Sequence, residues 1–124
     1  MSNFIKSRLQ SFIYAFHGWN YVLRNEPNTW IHAVVSILVV LAAFWLHLPA
    51  RDWAVLVLAI GMVWTAEFFN TALENIIDLA SPEEHPLAKA GKDIAAASVL
   101  IAALASIVIG LLILGPPLWE ELIS

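Results

Sequence analysis

The sequence predicts an all-α membrane protein: an N-terminal amphipathic surface helix followed by three transmembrane helices that assemble into an oligomeric bundle. Two observations carry that prediction. Hydrophobic types fill 60% of the 124 residues while only 13% carry a formal charge, about half the share of an ordinary soluble domain. The stretches 27–50 and 94–119 hold 24 and 26 consecutive residues without Asp, Glu, Lys or Arg, and a bilayer needs roughly 20 apolar residues to be crossed. With no cysteine, a disulfide-stapled secreted module is excluded. A net charge of -4 speaks against nucleic acid as a partner, because phosphate backbones select basic faces.

Each element follows from its own pattern. Over 3–25, Phe4, Ile5, Leu9, Phe12, Ile13 and Phe16 share one side of a helix and Lys6, Ser7, Gln10, Ser11 and His17 lie largely opposite, the signature of a helix lying on a membrane surface. No compact apolar core followed by a small-residue cleavage site occurs there, so a secretory signal is not expected. The first span is placed over 29–48, with Trp30 and Trp45 near its two ends at headgroup level. Pro49, Arg51 and Asp52 are read as a short turn. The second span, 53–80, must run on through Glu67, Asn70, Glu74 and Asp78, because its uncharged part is too short to cross alone. Residues 81–91 form the one long polar connection. A third span over 93–114 is ended by Gly115, Pro116 and Pro117. Within it Ser98, Ala102, Ser106 and Gly110 make a small-residue ladder that admits a close helix neighbour. The whole reads as a single domain.

Basic residues orient the chain. Lys6, Arg8 and Arg24 precede the first span and Lys89 and Lys92 the third, whereas Arg51 alone lies on the other side. The N-terminus and the 81–91 loop are therefore expected in the cytoplasm. Glu26, Glu67, Glu74, Asp78, Glu83, Glu84 and Asp93 then gather near that face.

Positions 67, 70, 74 and 78 fall within an arc of roughly 80° on one helix face, spread over about 16 Å. Glu67 is expected inside the hydrocarbon zone and Glu74 near its cytoplasmic edge. An ionisable group at such depth costs a few kcal/mol and is a functional hypothesis by default. Glu26 and Glu74 suit a hard divalent cation such as Mg²⁺, which takes oxygen ligands and bridges nucleotide phosphates. Glu67, flanked by Ala66, Phe68 and Phe69, is expected to have its pKa raised by desolvation, as suits a general base toward a hydroxyl held in the bilayer. Asn70 is placed to orient that carboxylate or the hydroxyl. Lys92 and Asp93 are read as opening the third helix, where free backbone N–H groups and an ammonium favour phosphate. Together the parts describe phosphoryl transfer from a cytosolic nucleotide to a lipid alcohol.

Plainer roles compete at several positions. Asp93 suits a helix N-cap, Lys92 a headgroup anchor, Glu83 and Glu84 a solvated loop, and the tryptophans interface anchors. The 67, 70, 74 face could be a structural polar seam between helices. His17, His32, His47 and His85 share no ligand spacing, so zinc is not expected. Gly91 and Lys92 lack the upstream glycine of a phosphate loop, and no G-x-G-x-x-G occurs. A proton or cation transporter would place its acids near the midplane and break its spans. A non-catalytic assembly factor gives no reason for Glu26, Glu67, Glu74 and Lys92 to meet at one depth.

The run Ala66-Glu67-Phe68-Phe69-Asn70-Thr71-Ala72-Leu73-Glu74-Asn75-Ile76-Ile77-Asp78, followed by His85-Pro86-Leu87-Ala88-Lys89-Ala90-Gly91-Lys92-Asp93, resembles the prokaryotic diacylglycerol kinase family of small integral membrane lipid kinases. The resemblance implies an ATP-dependent kinase with Glu67 as catalytic base and Asn70 beside it. It implies that Glu26 and Glu74 bind the Mg²⁺ of Mg-ATP, and that Lys92, Asp93, Glu83, Glu84 and His85 contact the nucleotide. Tyr14 matches a nucleotide-contacting position only loosely. A homotrimer with active sites shared between subunits, seated in the bacterial cytoplasmic membrane, is implied as well. The family acts on diacylglycerol or on undecaprenol. The His85-Pro86-Leu87-Ala88-Lys89 form is more similar to the Gram-positive undecaprenol type, while charge and periodicity do not decide between the two lipids.

Overall fold

Ser2 begins the first helix by accepting a hydrogen bond from the Ile5 amide at 3.3 Å, supplying one of the partners that an opening turn lacks. In the computed structural model, which describes residues 2–124, four helices follow: α1 (Asn3–Asn25), α2 (Asn28–Trp45), α3 (Ala50–Ala80) and α4 (Pro86–Ile123). The last three are long and apolar enough to cross a membrane. At 1.5 Å per residue α2 is about 27 Å long, close to the hydrocarbon thickness, whereas α3 and α4 reach about 46 and 57 Å and extend beyond it.

The corner between α1 and α2 is tied by side chains. Fully buried Thr29 donates its hydroxyl to the Glu26 carbonyl at 2.6 Å, and the Trp30 indole donates to the Leu23 carbonyl at 2.9 Å. These bonds hold Glu26 in the bend. α2 ends where His47 turns into the left-handed region at φ 53° and Leu48 donates back to the Ala43 carbonyl, a Schellman-type stop. Phe44 and Trp53 then meet edge to face at 4.7 Å across the turn.

α3 and α4 form the main antiparallel pair. Gly91 lies so near Ile77 that a Cβ would stand 3.0 Å from its Cδ1, so any larger residue there would make the Ile77 side chain shift. Ala95 and Ala102 are buried, and Ser106 donates to the Ala59 carbonyl of α3 at 3.2 Å. The small-residue ladder thus faces α3 within the same chain at Ala102 and Ser106. Most large apolar side chains, such as Leu58, Leu79 and Leu111, remain exposed, as a lipid solvent or a neighbouring chain requires.

Three expectations about boundaries are corrected. Gly115, Pro116 and Pro117 do not end the last helix, which continues to Ile123. The two prolines forfeit bonds to the Leu112 and Ile113 carbonyls, yet their restricted φ is itself helical. The turn after α2 covers Leu46 to Pro49, and α3 begins at Ala50 with Pro49 as its cap and Asp52 in its first turn, where a negative charge suits the helix dipole. Finally, α4 opens at Pro86, capped by His85 Nδ1, which accepts from the Leu87 amide at 3.1 Å. Proline at the first helical position sacrifices no bond. Lys92 and Asp93 therefore lie inside the helix and not at its start, and the free N–H groups belong to the turn after His85.

Candidate active site

The N-terminal end of α2, the C-terminal end of α3 and the first turns of α4 meet at one end of the bundle, and the acids gather there. Glu67 is buried on α3 with 5% exposure. Its Oε1 shares a hydrogen bond with Nε2 of His32 on α2 at 2.9 Å. One turn on, the buried Asn70 donates from Nδ2 to Glu74 Oε1 at 3.3 Å, while its Oδ1 and the hydroxyl of Thr71 are buried without a hydrogen-bond partner. Two buried oxygens facing no donor are costly.

Glu26 completes this group from the α1–α2 bend. Burial, then the charges of Glu74 and Glu67, push its carboxyl above the ordinary value. Glu26 therefore lies within reach of the charges of Glu74 and Glu67. A hard cation would relieve that repulsion, and Mg²⁺ needs only one or two protein carboxylates because water and phosphate complete its shell. Glu26 and Glu74 fit that donor set, although no cluster of three or more His, Cys, Asp or Glu suited to a metal occurs among the described residues.

Aromatic packing fixes the group from α1. Trp19 lies 4.9 Å from Trp64 and 4.6 Å from Phe68. Trp64 donates to Ser36 Oγ at 3.1 Å, and Ser36 donates to the His32 carbonyl at 2.6 Å. His32 and Ser36 also border an apolar cavity of 520 Å³ between α2, α3 and α4 that reaches Gly110 and Leu118. Glu67 meets that space through His32, its hydrogen-bond partner, which lines it.

A second, open cleft of 740 Å³ lies between the end of α3 and the start of α4. Asp78, Glu83, Glu84, His85, Lys89 and Lys92 line it. Lys92 pairs with Asp78, and Lys89 with Asp93 at 2.6 Å. Along α3 the face that carries Glu67, Asn70 and Glu74 leads on to Asp78, which lines this cleft.

Of the predicted residues, Glu26, Glu67, Asn70 and Glu74 come together at the buried end, and Glu83, Glu84, His85 and Lys92 at the cleft, with Asp93 held beside it by Lys89. Tyr14 does not join either group; it is exposed on α1, about three turns before Glu26. Sequence reasoning missed His32, Ser36, Trp64 and Thr71. His32 carries a legible signal, a titratable ring inside an uncharged span.

Fold and site define a polytopic helical membrane protein with a polar, acid-rich centre at one end of its bundle. The model of the family described as prokaryotic diacylglycerol kinase matches residues 13–114. Over 109 residues the chain is 39% identical to the undecaprenol kinase of Bacillus subtilis, covering 88% of this chain and 89% of that one. It is 43% identical over 111 residues to the diacylglycerol kinase of Synechocystis sp., covering 89% of this chain but 63% of that relative. The diacylglycerol kinase of Escherichia coli (strain K12) is 30% identical over 95 residues, 77% and 78% of the two chains. The chain belongs to the prokaryotic diacylglycerol kinase family. It is a lipid kinase of the membrane, with ATP as co-substrate.

Proposed function

We propose that this protein transfers the γ-phosphate of Mg-ATP to the hydroxyl of undecaprenol at the cytoplasmic face of the bacterial inner membrane, as a homotrimer. One observation carries the reading: a single acidic stripe on α3 runs from a buried carboxylate, bonded to a histidine that borders an apolar cavity, to Asp78 in an open cleft lined with lysines. The lipid chain lies in the cavity and its hydroxyl meets Glu67. ATP enters the cleft, where Lys92 exchanges Asp78 for phosphate, with Glu83, Glu84, His85 and Asp93 around the nucleotide. Glu26 and Glu74 would hold Mg²⁺, which when bound would screen the phosphate charge.

The transfer balances simply. The acceptor O–H breaks and its proton goes to Glu67. The acceptor oxygen bonds the γ-phosphorus as the bond to the β–γ bridging oxygen breaks, its electron pair leaving on ADP. Asn70 holds Glu74 and faces the reacting region. Orientation follows from the five basic residues on the side of Glu26 and the 81–91 connection against Arg51 alone on the other. The trimer follows from the family resemblance, and the exposed apolar helix faces leave surface for neighbouring chains.

Undecaprenol is favoured by the His85-Pro86-Leu87-Ala88-Lys89 run and agrees with the name of the Bacillus subtilis relative. Diacylglycerol is the second reading, favoured by the name of the Synechocystis relative. Purified protein given labelled ATP, Mg²⁺ and equal amounts of both lipids in one micelle preparation decides the matter. Predominant label in undecaprenyl phosphate is expected. Predominant label in phosphatidic acid establishes the second reading, and label in neither removes both.

A further inference from the structure

We infer that His32 is a positioning residue for the phosphoryl transfer, holding Oε1 of Glu67 so that the other carboxylate oxygen is presented to the acceptor hydroxyl. The inference rests on the reading of Glu67 as base. A carboxylate only accepts, so at 2.9 Å the proton of the contact belongs to His32 Nε2. Oε1 is the Glu67 oxygen with a hydrogen-bond partner among the described residues. Nothing else on α3 performs this task, since the Asn70 amide is turned to Glu74.

His32 is itself held in place. Its carbonyl accepts from Ser36, whose oxygen accepts in turn from the Trp64 indole, and Trp64 packs on Trp19 and Phe68. Helices α2 and α3 are therefore pinned twice on neighbouring turns, by Ser36 with Trp64 and by His32 with Glu67. A base that rotates freely about its χ angles loses the fixed approach that makes proton transfer effective, and a misplacement of about 1 Å can cost on the order of 100-fold. Because His32 also borders the apolar cavity, the ring stands where an alcohol group arriving from hydrocarbon first meets the carboxylate.

The test compares His32→Ala, His32→Gln and Glu67→Gln in the full-length protein, in micelles with Mg-ATP and undecaprenol or diacylglycerol. His32→Ala is expected to lower kcat about 10- to 100-fold with KM for ATP and lipid within about twofold. His32→Gln, whose amide Nε2 can donate to the same oxygen, is expected to recover kcat to within about threefold of wild type. Wild-type kcat in His32→Ala beside an inactive Glu67→Gln overturns the positioning role alone, as does an equal loss in the Ala and Gln variants. A rise in lipid KM with kcat unchanged makes His32 a lipid contact instead. Wild-type kcat in Glu67→Gln overturns the base assignment, and this role with it. Nitrogen NMR of the wild-type protein labelled at histidine keeps the question open to test if His32→Ala fails to fold. Nε2 of His32 should carry the proton and shift when Glu67 becomes Gln, and an unprotonated Nε2 would sink the idea.

Discussion

Glu67 and Asp78 lie about three turns apart on the same face of α3, and each faces a nitrogen on another helix, yet the two contacts differ in kind. The side chains of Glu67 and His32 are 7% and 20% exposed, whereas those of Asp78 and Lys92 are 62% and 41% exposed. Exposed ion pairs are worth roughly 0–1 kcal/mol, because water and salt compete for both partners. A buried acid loses far more when its partner goes. The inner contact is thus a fixture of the fold, while the outer one can open at little cost. One helix carries both a rigid end and an exchangeable end.

The largest effect that can break this contrast is at Glu67. Glu67→Gln should lower kcat about 10²- to 10⁴-fold, the usual loss when a general base is removed, with the helical content by circular dichroism unchanged. A variant retaining full turnover in the labelled-ATP assay would make the inner end structural only. Next in size, Glu74→Gln should raise the Mg²⁺ concentration for half-maximal activity about tenfold if Glu74 is one of the two carboxylate ligands proposed above. An unchanged Mg²⁺ titration excludes Glu74 as ligand.

At the exchangeable end, Asp78→Asn should leave kcat within about threefold and stability within about 1 kcal/mol, measured by thermal melting in detergent. A collapse of either quantity would show the outer pair to be as fixed as the inner one. The smallest effect expected concerns Glu26. Its carboxyl is raised above the ordinary 4.5, so the folded chain holds that proton more tightly than the unfolded chain does. The resulting stabilisation is fully present below the ordinary value and is lost as pH rises through the raised one. Melting temperature in metal-free buffer should fall over that window, and Glu26→Gln should flatten the slope. A parallel slope in the variant assigns the titration elsewhere.

The acidic stripe was legible because a helix converts the spacing of 67, 70, 74 and 78 into a shared face with no help from other elements. The His32 contact was not, since 35 positions separate it from Glu67 and no local rule relates two helices across such a gap. The start of α4 was misplaced for a related reason. Polar composition from 81 to 91 resembles a loop, but Pro86 and His85 together satisfy the needs of a helix end, and Gly91 serves the approach to Ile77 and does not break the helix.

From sequence alone came the membrane character, the helical class, the order of the spans and the shared face of the α3 acids, because bilayer burial and helix periodicity act on residues near one another in the chain. Tertiary structure alone decided which nitrogen meets Glu67, which acid occupies Lys92 and where the apolar cavity opens. Those depend on the register of packed helices, set by close approach at Gly91, Ala102 and Ser106, and register is a property of surfaces in contact that no single segment contains.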